Sequence, residues 1–408
     1  MNIDKGVKTM LITERSFLTM WIGQLATIFG NRFSEIAIPL IVLQVTGSPL
    51  QAALVVICSQ AAPLILALPA GNWMERRSKR AVAMSAEAVS FTVMSVFTLA
   101  VLFDLLTVWL LGAGLFVIGA AGLFFRVSFG AMVPQVAGRK RLVEAHGWFE
   151  GADAISTFAG PVLAGVILSA YGTAAVLAVD AATYAVSFLG IAFLTLKEKP
   201  VSKQPRSREP MLAGLRMLVT NSRQQFITMQ HIILNSTTTA AVLLVIIYTS
   251  ESLGFAAWQT GVVLSAAGAG NIAAVLLLRS VSRLAWSSLY GGLMLLAAAG
   301  LLLISLTEAL VLLAFGMFLF DGALSMAFVL NGSARTAVTS DARLARVLAA
   351  SAFIGGAAAI AGNAFAGSVS EWFLPAFGLI GLSVLLAGSA CASFFFREGR
   401  SPVQELEP

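Results

Sequence analysis

Gly71-Asn72-Trp73-Met74-Glu75-Arg76-Arg77-Ser78-Lys79-Arg80 places four basic side chains within five positions, between two long apolar runs. The flanking runs, residues 50–73 and 81–103, are each long enough to cross a bilayer as a helix, which takes about 20 residues. Loops rich in Lys and Arg stay on the cytoplasmic side of a membrane. This stretch therefore predicts a transmembrane helical hairpin with a cytoplasmic connection.

The same arrangement recurs along the whole chain. All but two of the 26 Lys and Arg residues fall into seven patches, at 5–15, 76–80, 139–141, 197–223, 279–283, 335–346 and 397–400. Each apolar interval between patches has room for two spans. The connections in the middle of these intervals carry no Lys or Arg, and they lie at 44–49, 104–106, 170–173, 251–258, 307–309 and 370–373. The pattern predicts twelve spans with both termini in the cytoplasm.

The composition agrees with a multi-pass protein of a bacterial inner membrane. Hydrophobic residues make up 58% of the chain and charged residues 11%, whereas about 25% of the residues of a soluble domain are charged. The net charge of +6 then reflects topology and contact with anionic membrane lipids, so we expect no nucleic-acid partner. Cys58 and Cys391 both fall inside predicted spans, so the sequence implies no disulfide framework or metal cluster.

We predict an all-α membrane protein with two six-helix bundles. A polar stretch divides the chain into an N-terminal bundle (1–196), a cytoplasmic linker (197–224) and a C-terminal bundle with a short tail (225–408). The linker is rich in proline and basic residues, and one amphipathic segment is expected near 212–219. The predicted spans are 17–44, 50–73, 81–103, 107–133, 143–169, 174–196, 225–250, 257–279, 286–305, 309–331, 345–369 and 373–396.

The two halves repeat each other. Ala159-Gly160-Pro161-Val162-Leu163-Ala164-Gly165 recurs as Ala361-Gly362-Asn363-Ala364-Phe365-Ala366-Gly367, and the same offset pairs Arg141-Leu142 with Arg343-Leu344. The shared register with the preceding basic loop indicates duplication. Parallel six-span repeats are an architecture of transporters.

The 71–80 loop resembles the signature loop of the major facilitator superfamily, in which Gly is followed after three residues by Asp-Arg and then by a basic pair. Glu75 stands where the family has Asp, and Ser78 where it has Gly. Further stretches resemble the branch containing macrolide-efflux proteins and the enterobactin exporter: Trp21-Ile22-Gly23-Gln24, Ala37-Ile38-Pro39-Leu40, Phe124-Phe125 to Pro134-Gln135, Gly160-Pro161 with Gly165, and Asp180-Ala181-Ala182-Thr183-Tyr184. The resemblance implies a central cavity between two bundles and transport by alternating access.

The resemblance also implies a gate at the signature loop. Its carboxylate, here Glu75, would lie near the N-terminus of span eleven, where the helix dipole favours an anion. Arg76, Lys79 and Arg80 would complete a charge latch between the halves, and Gly71 would let the helix ends approach closely. The alternative is plain anchoring of a basic loop in the cytoplasm.

A second family-like element lies in span five. Gly160, Pro161 and Gly165 together remove one helical hydrogen bond and two side chains, so this span can bend and pack closely. Relatives that exchange substrate for protons often carry such an element, which favours export over uptake.

Span one carries the most informative polar residues. Gln24, Asn31 and Glu35 share one side of the helix, with Arg32 one turn before Glu35. Each ion costs about 2.5–3.5 kcal/mol near the bilayer centre, so this face requires a polar cavity. We predict Glu35 as the proton-coupling residue and Gln24, Asn31 and Arg32 as cavity residues. The alternative is a static Arg32–Glu35 ion pair that braces the helix.

Other polar residues within spans are further candidates. Asp153 in span five and Asp321 in span ten are the next proton-coupling candidates. His231 and Asn235 form a polar stripe on span seven and are predicted to line the cavity, although His231 also suits a hydrogen-bonded packing role. For Asp180, a structural role in a scaffold helix is expected.

No enzyme motif competes with transport. The sequence lacks His-Glu-x-x-His, Gly-x-Ser-x-Gly and a phosphate-binding Gly-x-x-x-x-Gly-Lys. We therefore expect no enzymatic activity, no cofactor and no direct use of ATP. The predicted function is secondary active export of amphipathic small molecules, drug-like compounds or siderophore-type metabolites, by a monomer that exchanges them for protons. A lipid or lysolipid flippase of the same fold and a non-transporting membrane sensor remain alternatives. Arg126 is expected to snorkel towards the cytoplasmic surface.

Overall fold

The computed structural model describes residues 11–74, 77–138, 141–194, 211–219, 222–281 and 285–396, which form helices and no strands. The helices are α1 (Arg15–Thr46), α2 (Pro49–Met74), α3 (Lys79–Leu102), α4 (Val108–Ala137), α5 (Leu142–Ala192), α6 (Met211–Leu218), α7 (Ser222–Ile247), α8 (Ala257–Val281), α9 (Trp286–Ser305), α10 (Leu310–Ala337), α11 (Asp341–Trp372) and α12 (Pro375–Phe395). A 3₁₀ turn precedes α1, and a π-helical turn, Tyr248–Ser252, extends α7. Within the described ranges, eleven helices are long and apolar enough to span a membrane.

One of these helices provides two crossings. The 51-residue α5 breaks at Gly172, whose φ of 79° is a conformation that glycine adopts without steric cost. Its two limbs run in opposite directions along α1, as shown by Trp148 at Trp21, Asp153 at Arg32, Asp180 at Ser34 and Ser187 at Gly23. The eleven helices therefore make twelve crossings, which confirms the predicted fold class.

Helix packing follows the internal repeat. In the first half α4 packs against α2 and α3, and in the second half α10 packs against α8 and α9. Between the halves, the first limb of α5 packs against α8, and α11 packs against α2. These two contacts are related by the same repeat. The pattern supports our division of the chain into bundles at 1–196 and 225–408, which we retain as a proposal.

Part of the linker is helical, as its amphipathic pattern predicts. The short helix α6 buries Leu218 against Val347 and Ala350 of α11. The apolar side of α6 is thus covered by the second half, so this part of the linker is packed onto a transmembrane helix.

The halves are joined at the face opposite the termini. Glu371, at the end of α11, accepts hydrogen bonds from Ser48 Oγ (2.8 Å) and from the backbone N–H of Leu50 (3.0 Å) at the start of α2. In the repeat-related position, Ser169 Oγ accepts from the N–H of Trp258 (3.2 Å) at the start of α8. Each contact satisfies an N–H group at a helix N-terminus with an oxygen from the other half. Further hydrogen bonds between the halves join the N–H of Val162 to Ser265 Oγ (3.1 Å) and Asn363 Nδ2 to Gln60 Oε1 (3.0 Å).

Candidate functional site

An ion cluster centres on Arg32 of α1. Its guanidinium lies 2.9 Å from the Glu35 carboxylate, one turn further along α1, and 3.3 Å from the Asp153 carboxylate on the first limb of α5. The side chains are partly open, with exposed fractions of 28% for Arg32, 56% for Glu35 and 50% for Asp153. The structure thus brings two of the predicted coupling acids onto one arginine, in a place that water can reach.

The third predicted acid approaches the cluster from the other half. Asp321 of α10 interacts with the side chain of Asn271 on α8 and lies within electrostatic range of Arg32. The backbones of α8 and α10 are close here, since a Cβ on Gly322 would come within 2.8 Å of Gly270 O. Hence the Arg32 cluster faces the space between the halves. Two carboxylates on one guanidinium, with a third within electrostatic range, leave negative charge that a proton or a cationic group can neutralise.

The predicted polar stripe of α7 is held against its neighbours. Asn235 Nδ2 donates to the carbonyl of His231 (2.8 Å) and lies 3.3 Å from both ring nitrogens. The ring of His231 meets Phe328 edge-on, with 6.5 Å between centroids. A Cβ on Gly355 of α11 would come within 2.8 Å of the ring. These contacts fit the hydrogen-bonded packing role of His231. A role in transport for His231 and Asn235 stays a prediction.

The remaining polar residues of α1 contact different limbs of α5, and their predicted role in lining the transport cavity stays a prediction. Asn31 is exposed, and its Oδ1 accepts a hydrogen bond from the Tyr184 hydroxyl (3.0 Å) on the second limb of α5. Gln24 lines a cavity of about 180 Å³ between α1, α4 and the first limb of α5. Arg126 is exposed and borders the same cavity, and its expected snorkelling stays a prediction.

Two buried carboxylates lie behind this face, inside the first half. Glu87 of α3 is 2% exposed; its Oε1 accepts from Ser187 Oγ (2.9 Å) and Thr27 Oγ1 (3.4 Å), whereas Oε2 has no partner among the described residues. Asp180 is fully buried and bonded to Ser34, which fits the expected scaffold role. Sequence reasoning missed Glu87, although an acid inside the predicted span 81–103 carries the same cost as Glu35.

The described part of the signature loop forms contacts within the first half. Lys79 Nζ donates to the carbonyl of Met74, and Arg80 donates to the carbonyl of Ala192 at the end of α5. Gly71 lies in the last turn of α2, whereas Glu75 and Arg76 lie outside the described residues. The latch between the halves therefore stays a prediction.

The family-like element of α5 is a packing point between three helices. A Cβ on Gly160 would come within 2.7 Å of Arg32 Cβ, and a Cβ on Gly165 would overlap the backbone of Ala257 in α8. Pro161 lies inside α5. Gly172 is the only residue of α5 with non-helical backbone angles. Close packing is therefore evident here, while the backbone break of α5 occurs eleven positions after Pro161.

Comparison with known proteins identifies similar transporters. A family model described as Major Facilitator Superfamily matches residues 20–362. Macrolide efflux protein A of Streptococcus pyogenes is 20% identical over 208 residues, 50% of this chain and 51% of that protein. Multidrug efflux pump Tap of Mycolicibacterium fortuitum is 28% identical over 193 residues, 46% of this chain and 47% of that protein. The matched region spans about half the length of each relative.

The solved structures show the same fold. A mutant form of the nucleoside transporter NupG superposes with a TM-score of 0.75 at 15% identity, over 93% of this chain and 100% of that one. At this identity the likeness concerns the fold, a twelve-span helical transporter.

Proposed function

The chain belongs to the major facilitator superfamily, and from this we propose that it is a secondary active exporter that exchanges amphipathic small molecules for protons. The family and its structural neighbours are membrane transporters and not enzymes. The two relatives named as efflux proteins support the direction of transport. We place it in the bacterial inner membrane with both termini in the cytoplasm, because the basic loops lie on the side of the termini.

The surplus of negative charge around Arg32 carries this proposal. Glu35 and Asp153 contact Arg32, and Asp321 is within electrostatic range of it from the other half. While the cavity is open, water solvates the uncompensated carboxylates. Closing the cavity removes that water, at a cost of several kcal/mol for each unpaired ion. The carrier therefore changes state easily only when a proton or a cationic substrate group neutralises the surplus.

This condition leads to exchange between two kinds of cargo. A cationic substrate group neutralises the cluster when the cavity faces the cytoplasm, and the loaded carrier then opens outwards. Protons from outside replace the substrate and neutralise the cluster for the return step. Each change of conformation thus requires either bound substrate or bound protons, which is the requirement for antiport. Glu35, the most exposed acid of the cluster, is our first choice for the proton-binding group, followed by Asp153 and Asp321.

The test is export driven by an imposed pH gradient. Purified protein is reconstituted into vesicles with an acidic lumen, where escaping protons drive uptake of ethidium, a fluorescent cation. We expect Glu35→Gln and Asp153→Asn to fold and to lose most of the gradient-driven uptake. Glu150→Gln serves as the matched control, because Glu150 lies one turn from Asp153 on an exposed position of α5.

Two outcomes would contradict the proposal. Undiminished uptake by both variants under the same gradient would remove the coupling role from the cluster. Loss of folding in Glu35→Gln, measured by thermal melting in detergent, would instead support the static ion pair that braces α1.

A further inference from the structure

A cavity lies between α1, α4 and the first limb of α5, on the side of the termini relative to the Arg32 cluster. It is lined by the polar side chains of Gln24, Arg126 and His146 and by the rings of Phe125, Phe129 and Phe149. Gln24 precedes Arg32 by eight positions on α1, about 12 Å along a helix axis. The cavity and the cluster are therefore two separate polar regions along one wall of the first half.

Arg126 is a cation without a counter-ion in the part of the chain that the structure describes. It lies near the middle of α4, and the end of that helix at Ala137 is about 16 Å further along the axis. Its side chain is exposed in the structure and borders the cavity. A cation at this depth is costly unless an anion or water meets it. On α5, His146 lines the same cavity, and Glu150 follows it by one turn at an exposed position.

The cavity walls suit an aromatic group beside that cation. The ring of Phe129 stacks on Phe125 (5.4 Å between centroids) and meets Phe149 edge-on (5.3 Å). Aromatic walls of this kind hold planar rings through offset or edge contacts. Gln24 adds a buried Oε1 that lacks a hydrogen-bond donor in the described structure. It therefore provides an acceptor for an N–H or O–H group of a ligand.

We propose that this cavity binds the aryl carboxylate end of a zwitterionic substrate whose amine reaches the Arg32 cluster. The guanidinium of Arg126 can pair with a carboxylate through two parallel hydrogen bonds, which a planar fork favours. The aromatic ring lies against Phe129 and its neighbours. About 12 Å away along α1, the carboxylates of Glu35 and Asp153 receive the amine. This inference rests on the proposed export function and names the class of compound that the cavity selects.

The test uses ciprofloxacin, a fluorescent compound with an aryl carboxylate at one end and a piperazine nitrogen at the other. Binding to the purified full-length protein in detergent is measured by fluorescence anisotropy, in parallel with the methyl ester, which lacks the anion. Charge-assisted hydrogen bonds contribute about 1.5–3 kcal/mol, so Arg126→Gln should weaken ciprofloxacin binding about tenfold or more. Binding of the ester should change less than twofold.

Arg343→Gln is the matched control, because Arg343 is an exposed cation at the start of α11, in the other half. It loses the same charge and should leave both affinities unchanged. If Arg126→Gln does not fold, Arg126→Lys keeps the charge and removes the planar fork, and it should weaken ciprofloxacin more than the ester. The inference is overturned if the substituted protein binds ciprofloxacin as the original does, or if both ligands weaken equally.

A failure of the subsite can be told apart from a failure of the proposed export function, because binding in detergent needs no gradient. Binding of ciprofloxacin that depends on Arg126, without gradient-driven uptake of any compound, would leave the subsite standing and remove proton exchange. Gradient-driven ethidium uptake, together with ciprofloxacin binding that Arg126→Gln does not change, would leave proton exchange standing and overturn the subsite.

Discussion

At the scale of single residues, the carboxylates of the first half occupy two different environments. Glu35 and Asp153 are about half exposed and share Arg32, so water and a guanidinium both stabilise their charge. Glu87 is buried with hydroxyl donors on one oxygen only. A buried charge without a cation costs more than its hydrogen bonds return. Glu35 and Asp153 are therefore suited to binding and releasing a proton or a cationic group. Glu87 is suited to a structural link between α3, α1 and α5.

Substitutions of Glu87 separate charge from hydrogen bonding. We expect Glu87→Gln to melt at or above the original temperature, because the amide keeps an oxygen acceptor for Ser187 and carries no charge in the interior. Glu87→Ala leaves the hydroxyls of Ser187 and Thr27 without this acceptor, and it should lose about 1–3 kcal/mol of stability. Thermal unfolding in detergent measures both. Equal losses in the two variants would show that the carboxylate itself is required.

At the scale of helices, contacts between the halves repeat as cap interactions. Glu371 of α11 accepts from the N–H of Leu50 at the start of α2, and Ser169 of α5 accepts from the N–H of Trp258 at the start of α8. A carboxylate at a helix N-terminus gains from the unpaired N–H groups and from the helix dipole. We infer that these two caps hold the face opposite the termini closed.

Removing the charged cap should shift the molecule towards opening at that face. Glu371→Ala loses the hydrogen bonds to Ser48 and Leu50, and we expect the open population to rise on the order of tenfold. Spin labels at Gln51 and Trp372 report the distance between α2 and α11. Glu251→Ala, an exposed acid on the same face, is the control. An unchanged distance distribution in Glu371→Ala would show that close packing alone holds this face shut.

The sequence predicts helices well here and contacts between helices less well. Basic loops and apolar lengths locate the twelve crossings, because the bilayer imposes both signals on the chain locally. The polar face of α1 is predictable for the same reason, since ions inside spans must find a polar site. Other contacts depend on how helices that are distant in sequence pack together. They are those of Arg32 with Asp153, of Asp321 with Asn271 and of Glu87 with Ser187. No local pattern specifies these contacts. The break of α5 at Gly172, by contrast, lies in the connection predicted at 170–173.

At the scale of the whole molecule, the geometry combines a closed face with an exposed ion cluster. The halves meet through the caps at the face opposite the termini, and the Arg32 cluster lies between the halves with its acids accessible to water. We infer that the cavity in this structure opens towards the termini. Alternating access then consists of breaking the caps and closing the opposite side, where the signature loop is expected to form its latch.

In the proposed exchange, substrate and protons compete for the Arg32 cluster. The most direct measurement is proton release from the purified protein in weakly buffered detergent solution, followed with a pH indicator as ethidium is added. We predict that protons are released in proportion to bound ethidium, and that this release is largely lost in a protein carrying both Glu35→Gln and Asp153→Asn. Ethidium binding without proton release, or release of equal size from the doubly substituted protein, would contradict it.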